Sequence, residues 1–228
     1  MTELLAADSW LVADGRVRAV ERHWARFSAA CAEHGVDTQA FRADVERAVP
    51  ARGRWFPRVE LRADGELTVR VRPAPPAEPT VVAWIADVPD PRRAPQIKGP
   101  DLERLAALRE RAGAHGAGEA VLADADGRLL EGAYTSLLWW EGETLCAVPD
   151  DAPILPGITR ALLIELAGAV ELRRPAPRDL AGRETWLVSA LHGIRAVTRW
   201  RGGPSAGEAS RAPSWQRRLE SACATSGG

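Results

Sequence analysis

Lys98 is the only lysine in a chain of 228 residues that carries 30 lysines and arginines together. Arginine replaces lysine at most solvated positions. It cannot do so where an amine must shed its proton and become a nucleophile, because guanidinium stays protonated. Forming a Schiff base with a carbonyl is such a task. The residues around it, Ile97-Lys98-Gly99-Pro100-Asp101, suggest a strand end broken by Gly-Pro, able to aim the amine into a cleft. A second motif, Leu155-Pro156-Gly157-Ile158-Thr159-Arg160, joins a loop to a helix. Its backbone N–H groups at the helix start suit an anion such as a phosphate monoester, or Thr159 simply caps the helix. A third, Glu131-Gly132 followed by small residues, could face a ligand closely, or Glu131 is an ordinary surface glutamate.

Composition narrows the classes. A net charge of -1 gives no field for nucleic acid or anionic membrane. The longest apolar runs, such as 161–169, are too short to span a bilayer, and the N-terminus lacks a secretion signal pattern. Three cysteines without CxxC spacing (Cys31, Cys146, Cys223) argue against a disulfide framework or a zinc site and fit a cytoplasmic protein. Four scattered histidines (His23, His34, His115, His192) do not form a metal cluster, so no metal is expected.

These groups need elements to position them. Helical spacing of Val20, Trp24, Phe27 and Cys31 predicts a helix over 17–31, with Gly35 as its stop. A second helix is expected from a Thr38 cap to Val49, before Pro50. Strands are expected over 54–62 and 66–72 around an Ala63-Asp64-Gly65 turn, and over 81–85. Beyond a proline-rich linker the expected elements are a helix over 102–112, strands over 119–123, 129–140 and 144–148, a helix over 159–170, and strands over 184–191 and 196–200. The reading is α+β (mixed α/β): a small N-terminal domain over 1–88, a linker over 89–97, a large domain over 98–203 that includes Lys98, and a flexible or short helical tail over 204–228.

The order and spacing of Lys98, Glu131-Gly132 and Leu155 to Arg160 resemble the class IV aminotransferase family, the fold type IV pyridoxal-phosphate enzymes. Asp14-Gly15-Arg16-Val17 followed by His23-x-x-Arg26-Phe27 is similar to that family's small domain, and the resemblance spans roughly 8–200. It implies a two-domain fold with a shortened N-terminal domain and bound pyridoxal 5'-phosphate. In that resemblance Lys98 is the Schiff-base lysine and proton carrier, Glu131 keeps the pyridine nitrogen protonated, and Arg26 grips the phosphate. The N–H groups of Ile158 and Thr159, with Ser189 and Ala190, complete the phosphate cup, and Ser9 falls near a hydroxyl residue that assists proton transfer.

Ser136-Leu137-Leu138-Trp139 and Ser189-Ala190-Leu191 stand where similar aminodeoxychorismate lyases carry N-L-F-W and N-A-L. The resemblance therefore leans toward elimination of pyruvate to give 4-aminobenzoate, a folate precursor. Amino acid transamination (branched-chain or D-amino acid type) and a member that catalyses nothing stay open. The implied partners are a small amine or amino acid substrate and a second copy in a homodimer, with apolar surface at Trp139 and Trp140 as a candidate interface.

Overall fold

The computed structural model describes residues 3–224, with side chains through Ser221. They group into two compact units. The smaller takes the chain up to Ala77, Ile97–Pro100 and the last helix from Glu220; the larger takes Glu78–Gln96 and Asp101–Leu219. This division differs from the expected one: the 89–97 linker goes almost entirely to the larger unit, while Lys98 belongs to the smaller.

In the smaller unit the elements are β1 (Leu4–Ser9), β2 (Val12–Ala13), β3 (Arg16–Val17), α1 (Val20–Ala32), α2 (Gln39–Ala48), β4 (Arg54–Trp55), β5 (Arg58–Arg62) and β6 (Leu67–Arg70). They form two three-stranded sheets, β1-β5-β6 and β3-β2-β4. The hairpin turn at Gly65 is present, with φ 83° at the glycine. The periodicity of α1 was legible: Trp24, Phe27 and Cys31 are buried with His23, and they pack with Ala6, Val59 and Leu61. Gly35 terminates the helix through backbone bonds from its own N–H to Ala32 and from Val36 to Cys31. Thr38 stands at the start of α2, but its hydroxyl meets Ser28 Oγ at 2.5 Å and makes no cap. The chain before Asp14 carries β1, for which the sequence pattern had suggested no strand.

The larger unit holds β7 (Thr80–Ile85), α3 (Leu102–Ala114), β8 (Glu119–Ala123), β9 (Leu129–Gly132), β10 (Ser136–Glu141), β11 (Thr144–Ala147), α4 (Ile158–Ala167), β12 (Val170–Leu172), a 3-10 turn (Pro177–Leu180), β13 (Thr185–Ser189) and β14 (Gly193–Arg201). A last helix, α5 (Ala212–Ala224), belongs here up to Leu219. Its eight strands form a curled half-barrel sheet in the order β12-β11-β10-β13-β14-β7-β8-β9. The β14–β7, β7–β8 and β11–β12 pairs are parallel and the rest antiparallel. The expected run over 129–140 splits into β9 and β10, because residues 133–135 turn between two different pairings. The expected helix over 159–170 ends at Ala167. Gly168, at φ 75°, breaks it, and the chain re-enters the sheet as β12.

Both faces of this sheet are covered. On β10, Leu137 and Trp139 join the cluster of Leu105, Leu108 and Ala112 from α3, whereas Leu138 and Trp140 join Leu163 of α4 and Trp215 and Leu219 of α5. Trp140, Trp186 and Trp215 meet mutually with centroids 5.3–5.8 Å apart. Trp139 and Trp140 are therefore core residues, not the exposed interface the sequence had suggested. A central strand covered on both faces has no solvent side, and its apolar run reads the same as a surface patch. In the tail the short-helix alternative is the one present, as α5, with Trp215 and Leu219 buried. Among the described residues, no helix is long and apolar enough to cross a membrane.

Candidate active site

Lys98 lies in a turn, not at the end of a strand. What pins it is backbone: its carbonyl accepts the Ala7 N–H of β1 at 2.6 Å. Gly99 follows at φ 146°, and a Cβ there would come within 2.8 Å of Ala6 Cα. Only glycine lets the two chains approach this closely. The glycine after the lysine is thus a close-approach residue.

The Lys98 amine is about a quarter exposed, its Nζ 3.5 Å from Oδ1 of the fully buried Asp8. Asp8 is the hub of this part of the unit. Arg26 of α1 donates from Nε to Oδ2 and from Nη2 to Oδ1, both at 2.9 Å, and His23 Nδ1 lies 3.1 Å from Oδ1. The Ser9 N–H donates to Oδ1 at 2.6 Å. Burial alone would raise the Asp8 carboxyl, but Lys98 and Arg26 outweigh it and hold the group well below the usual carboxylate range. Burial pushes the Lys98 amine down to about 8, with Asp8 pulling upward and Arg26 downward. Burial also lowers His23, against the pull of Asp8. Of the residues singled out from the sequence, this unit brings together Lys98, Arg26 and Ser9, with Ser9 joined through its backbone. Asp8 and His23 were missed. The signal was available in the His23-x-x-Arg26 spacing, which puts both on one helix face beside a single acidic residue of β1.

The larger unit carries the second set. Glu131 of β9 is buried, and its Oε1 accepts Arg92 Nη1 at 2.5 Å and the Leu155 N–H at 2.7 Å. Arg92 is shared: its Nε and Nη2 serve Asp90, and Nη2 also reaches the Pro153 carbonyl at 2.8 Å. Burial raises the Glu131 carboxyl to about 7, because one guanidinium serving two carboxylates offsets it only in part. Arg92 escaped the sequence reading because it sits in the proline-rich stretch taken as linker.

Leu155, which caps Glu131, opens the segment leading into α4. That helix begins at Ile158 after Gly157, and no side chain caps it. Thr159 is buried at the second helical position, so the capping alternative is not realised. Gly157 is held close to β10: a Cβ there would come within 2.3 Å of Ser136 Oγ. Arg160 fixes the helix start by reaching Asp150 and the Val148 carbonyl at 2.7 and 2.5 Å. Ser189 ends β13, where its hydroxyl accepts the His192 N–H at 3.3 Å, and Ala190 follows in the turn into β14. Helix α4 packs on β13.

The small N-terminal sheets and the curled eight-stranded sheet of the larger unit give the mixed α+β fold of the fold type IV pyridoxal-phosphate enzymes. The chain belongs to the amino-transferase class IV family, whose model matches residues 5–200. This is a family of pyridoxal-phosphate-dependent aminotransferases and lyases. Among solved structures, the chain is similar to a hypothetical aminotransferase from Mycobacterium tuberculosis in its α-ketoglutarate- and PMP-bound form. That match has 23% identity and a TM-score of 0.83, covering 98% of this chain and 90% of the other. It is also similar to a branched-chain aminotransferase from Thermoproteus uzoniensis with norvaline, at 16% identity and TM-score 0.79, covering 94% and 84%. A third is a Legionella pneumophila protein provisionally assigned as 4-amino-4-deoxychorismate lyase, at 16% identity and TM-score 0.82, covering 96% and 91%. At these identities the likeness is one of fold. No curated protein matches the sequence.

Proposed function

We propose that this chain is an active pyridoxal-phosphate enzyme acting on a small amine or amino acid, with Lys98 as covalent anchor and proton carrier. The observation that carries the reading is the chain's single lysine, partly exposed and held near about 8, where an amine is available both to bond a carbonyl and to move a proton near neutrality. The residues present fit the cofactor by their chemistry. Lys98 suits the aldehyde carbon. Glu131, with its described bonds on Oε1, suits the ring nitrogen. The uncapped N-terminus of α4, through Ile158 and Thr159 with Ser189 and Ala190, suits the phosphate. Arg26 is assigned to the phosphate as well, and Ser9 to proton transfer.

When bound, the cofactor supplies an electron sink for the carbon that bears the substrate amine. Lys98 Nζ would take the proton from that carbon and deliver it to the departing group in elimination, or to the cofactor carbon in transamination. Glu131 shares its proton with the ring nitrogen, a role suited to a carboxyl near 7. Arg92 orients Glu131.

For the reaction we favour elimination in the manner of an aminodeoxychorismate lyase. No tyrosine stands in the few residues after Lys98: the chain's one tyrosine, Tyr134, is exposed and stacked under Arg109. Transamination is the second reading, favoured by the keto acid and the norvaline named with two of the similar structures. A homodimer in the cytoplasm is the assembly and compartment this reading expects.

The test begins by loading the protein with pyridoxal phosphate, reducing with borohydride and mapping the peptides. An adduct on Lys98 is expected, and its absence would sink the central claim. The loaded protein with aminodeoxychorismate alone should then release pyruvate continuously. Turnover that stalls until a keto acid is added selects transamination, and no turnover with either substrate class rejects the catalytic reading.

A further inference from the structure

We propose that Asp8 is a positioning residue for Lys98, a buried carboxylate that holds the amine as an ammonium against β1 and so sets how much of it is free to react. This rests on the reading of Lys98 as the covalent anchor.

The geometry is asymmetric. Asp8 Oδ2 faces Arg26, whereas Oδ1 collects the Ser9 N–H, His23 Nδ1, Arg26 Nη2 and Lys98 Nζ. A carboxylate only accepts, so His23 must donate from Nδ1, which fixes its tautomer and the rotation of its ring. Asp8 is wholly buried while Lys98 is a quarter exposed, so the ammonium is the member of the pair that an incoming ligand can reach. The charged groups facing Lys98 are Asp8 from β1, His23 and Arg26 from α1, and Arg58 from β5, itself 2.6 Å from Glu60. Asp8 is thus the carboxylate that answers Lys98 directly, among neighbours that are otherwise cationic or paired elsewhere. Without it, burial and the two arginines would act on the amine in the same direction, toward deprotonation. Asp8 therefore opposes the loss of the proton that Lys98 must shed before it can react.

A single lysine makes this measurable without any cofactor. Protein grown with 15N-lysine carries one Nζ signal, and its pH titration reports Lys98 alone. Asp8→Asn should move the midpoint down by roughly a unit or more, raising the ratio of free to charged amine at pH 7 at least about tenfold. A purely structural role for Asp8 would leave the midpoint in place, and an unmoved or raised midpoint overturns the proposal. If Asp8→Asn does not fold, the wild-type chain decides. With 15N-lysine and carboxyl-13C aspartate, magnetisation dephasing should place the Lys98 nitrogen at contact distance from a carboxyl carbon, and no dephasing refutes the pairing. The two readings fail separately. An Asp8-dependent titration without a borohydride adduct on Lys98 removes the cofactor reading, and an adduct with an Asp8-independent titration removes the pairing.

Discussion

Glu131→Gln offers a direct test of how the larger unit holds its carboxyl. In the cofactor-free protein the Glu131 carboxyl is raised from 4.5 to about 7, by burial first, with Arg92 and the Leu155 N–H pulling the other way. A group whose folded value lies above its unfolded value binds its proton more tightly when folded. Its contribution to stability is complete below about 4.5 and is lost as pH rises through about 7. The displacement corresponds to on the order of 3 kcal/mol. In a chain of this length that is roughly 6–12 °C in Tm. Glutamine keeps the shape and the acceptor for Arg92 and Leu155 but cannot titrate. Thermal unfolding of both proteins from pH 5 to 8 should give a difference, wild type minus variant, that falls by about that amount across the window. His23, lowered by burial, acts with the opposite sign, but it is common to both proteins and cancels in the difference. Parallel curves would mean that Arg92 and Leu155 fully compensate the burial, and the assignment of Glu131 as a proton-sharing partner would lose its electrostatic basis.

Two further outcomes follow from the smaller unit. Gly99→Ala forces a Cβ into the Ala6 backbone at a φ that disfavours side chains, and should cost roughly 2–4 kcal/mol in denaturant unfolding; a neutral result would show that the turn can move off β1. Arg26→Ala should weaken affinity for pyridoxal phosphate by on the order of 1.5–3 kcal/mol, read from absorbance titrations, with added inorganic phosphate partly restoring the binding of unphosphorylated pyridoxal; unchanged affinity would leave Arg26 as a partner of Asp8 and not of the phosphate.

Much of this is legible in the sequence. The 3.6-residue spacing of α1 and the glycine that stops it read correctly because the helix is buried on one face only. Strand β8 read to the residue, bounded by a glycine and an Asp-Ala-Asp-Gly turn. The failures share a cause. Strands β1 and β12, and the inward destiny of Trp139 and Trp140, depend on neighbours distant in sequence, and local pattern carries no record of those. The site behaved likewise. Lys98 and Glu131 were visible as residue types with a task. Asp8 and Arg92 become meaningful only once a strand is laid against a turn and a supposed linker folds back on a carboxylate.

Strand β10, with tryptophans and leucines on both faces, raises a question of information. A strand with one wet face fixes its pairing register by polarity, since a one-residue slip would expose its oily side. In β10 a slip would exchange one apolar set for another, so polarity is silent. The polar groups at its margin speak instead. Trp139 Nε1 donates to Glu141 Oε1 on its own strand, and on the neighbouring β13 Trp186 Nε1 donates to Glu184 Oε1, which is also the acceptor for the Ala212 N–H at the start of α5. Those indole bonds stay within their own strands and would survive a slip; alignment is written instead by Arg183, just ahead of β13, pairing with Glu141 at the end of β10, while Glu184 ties down the last helix.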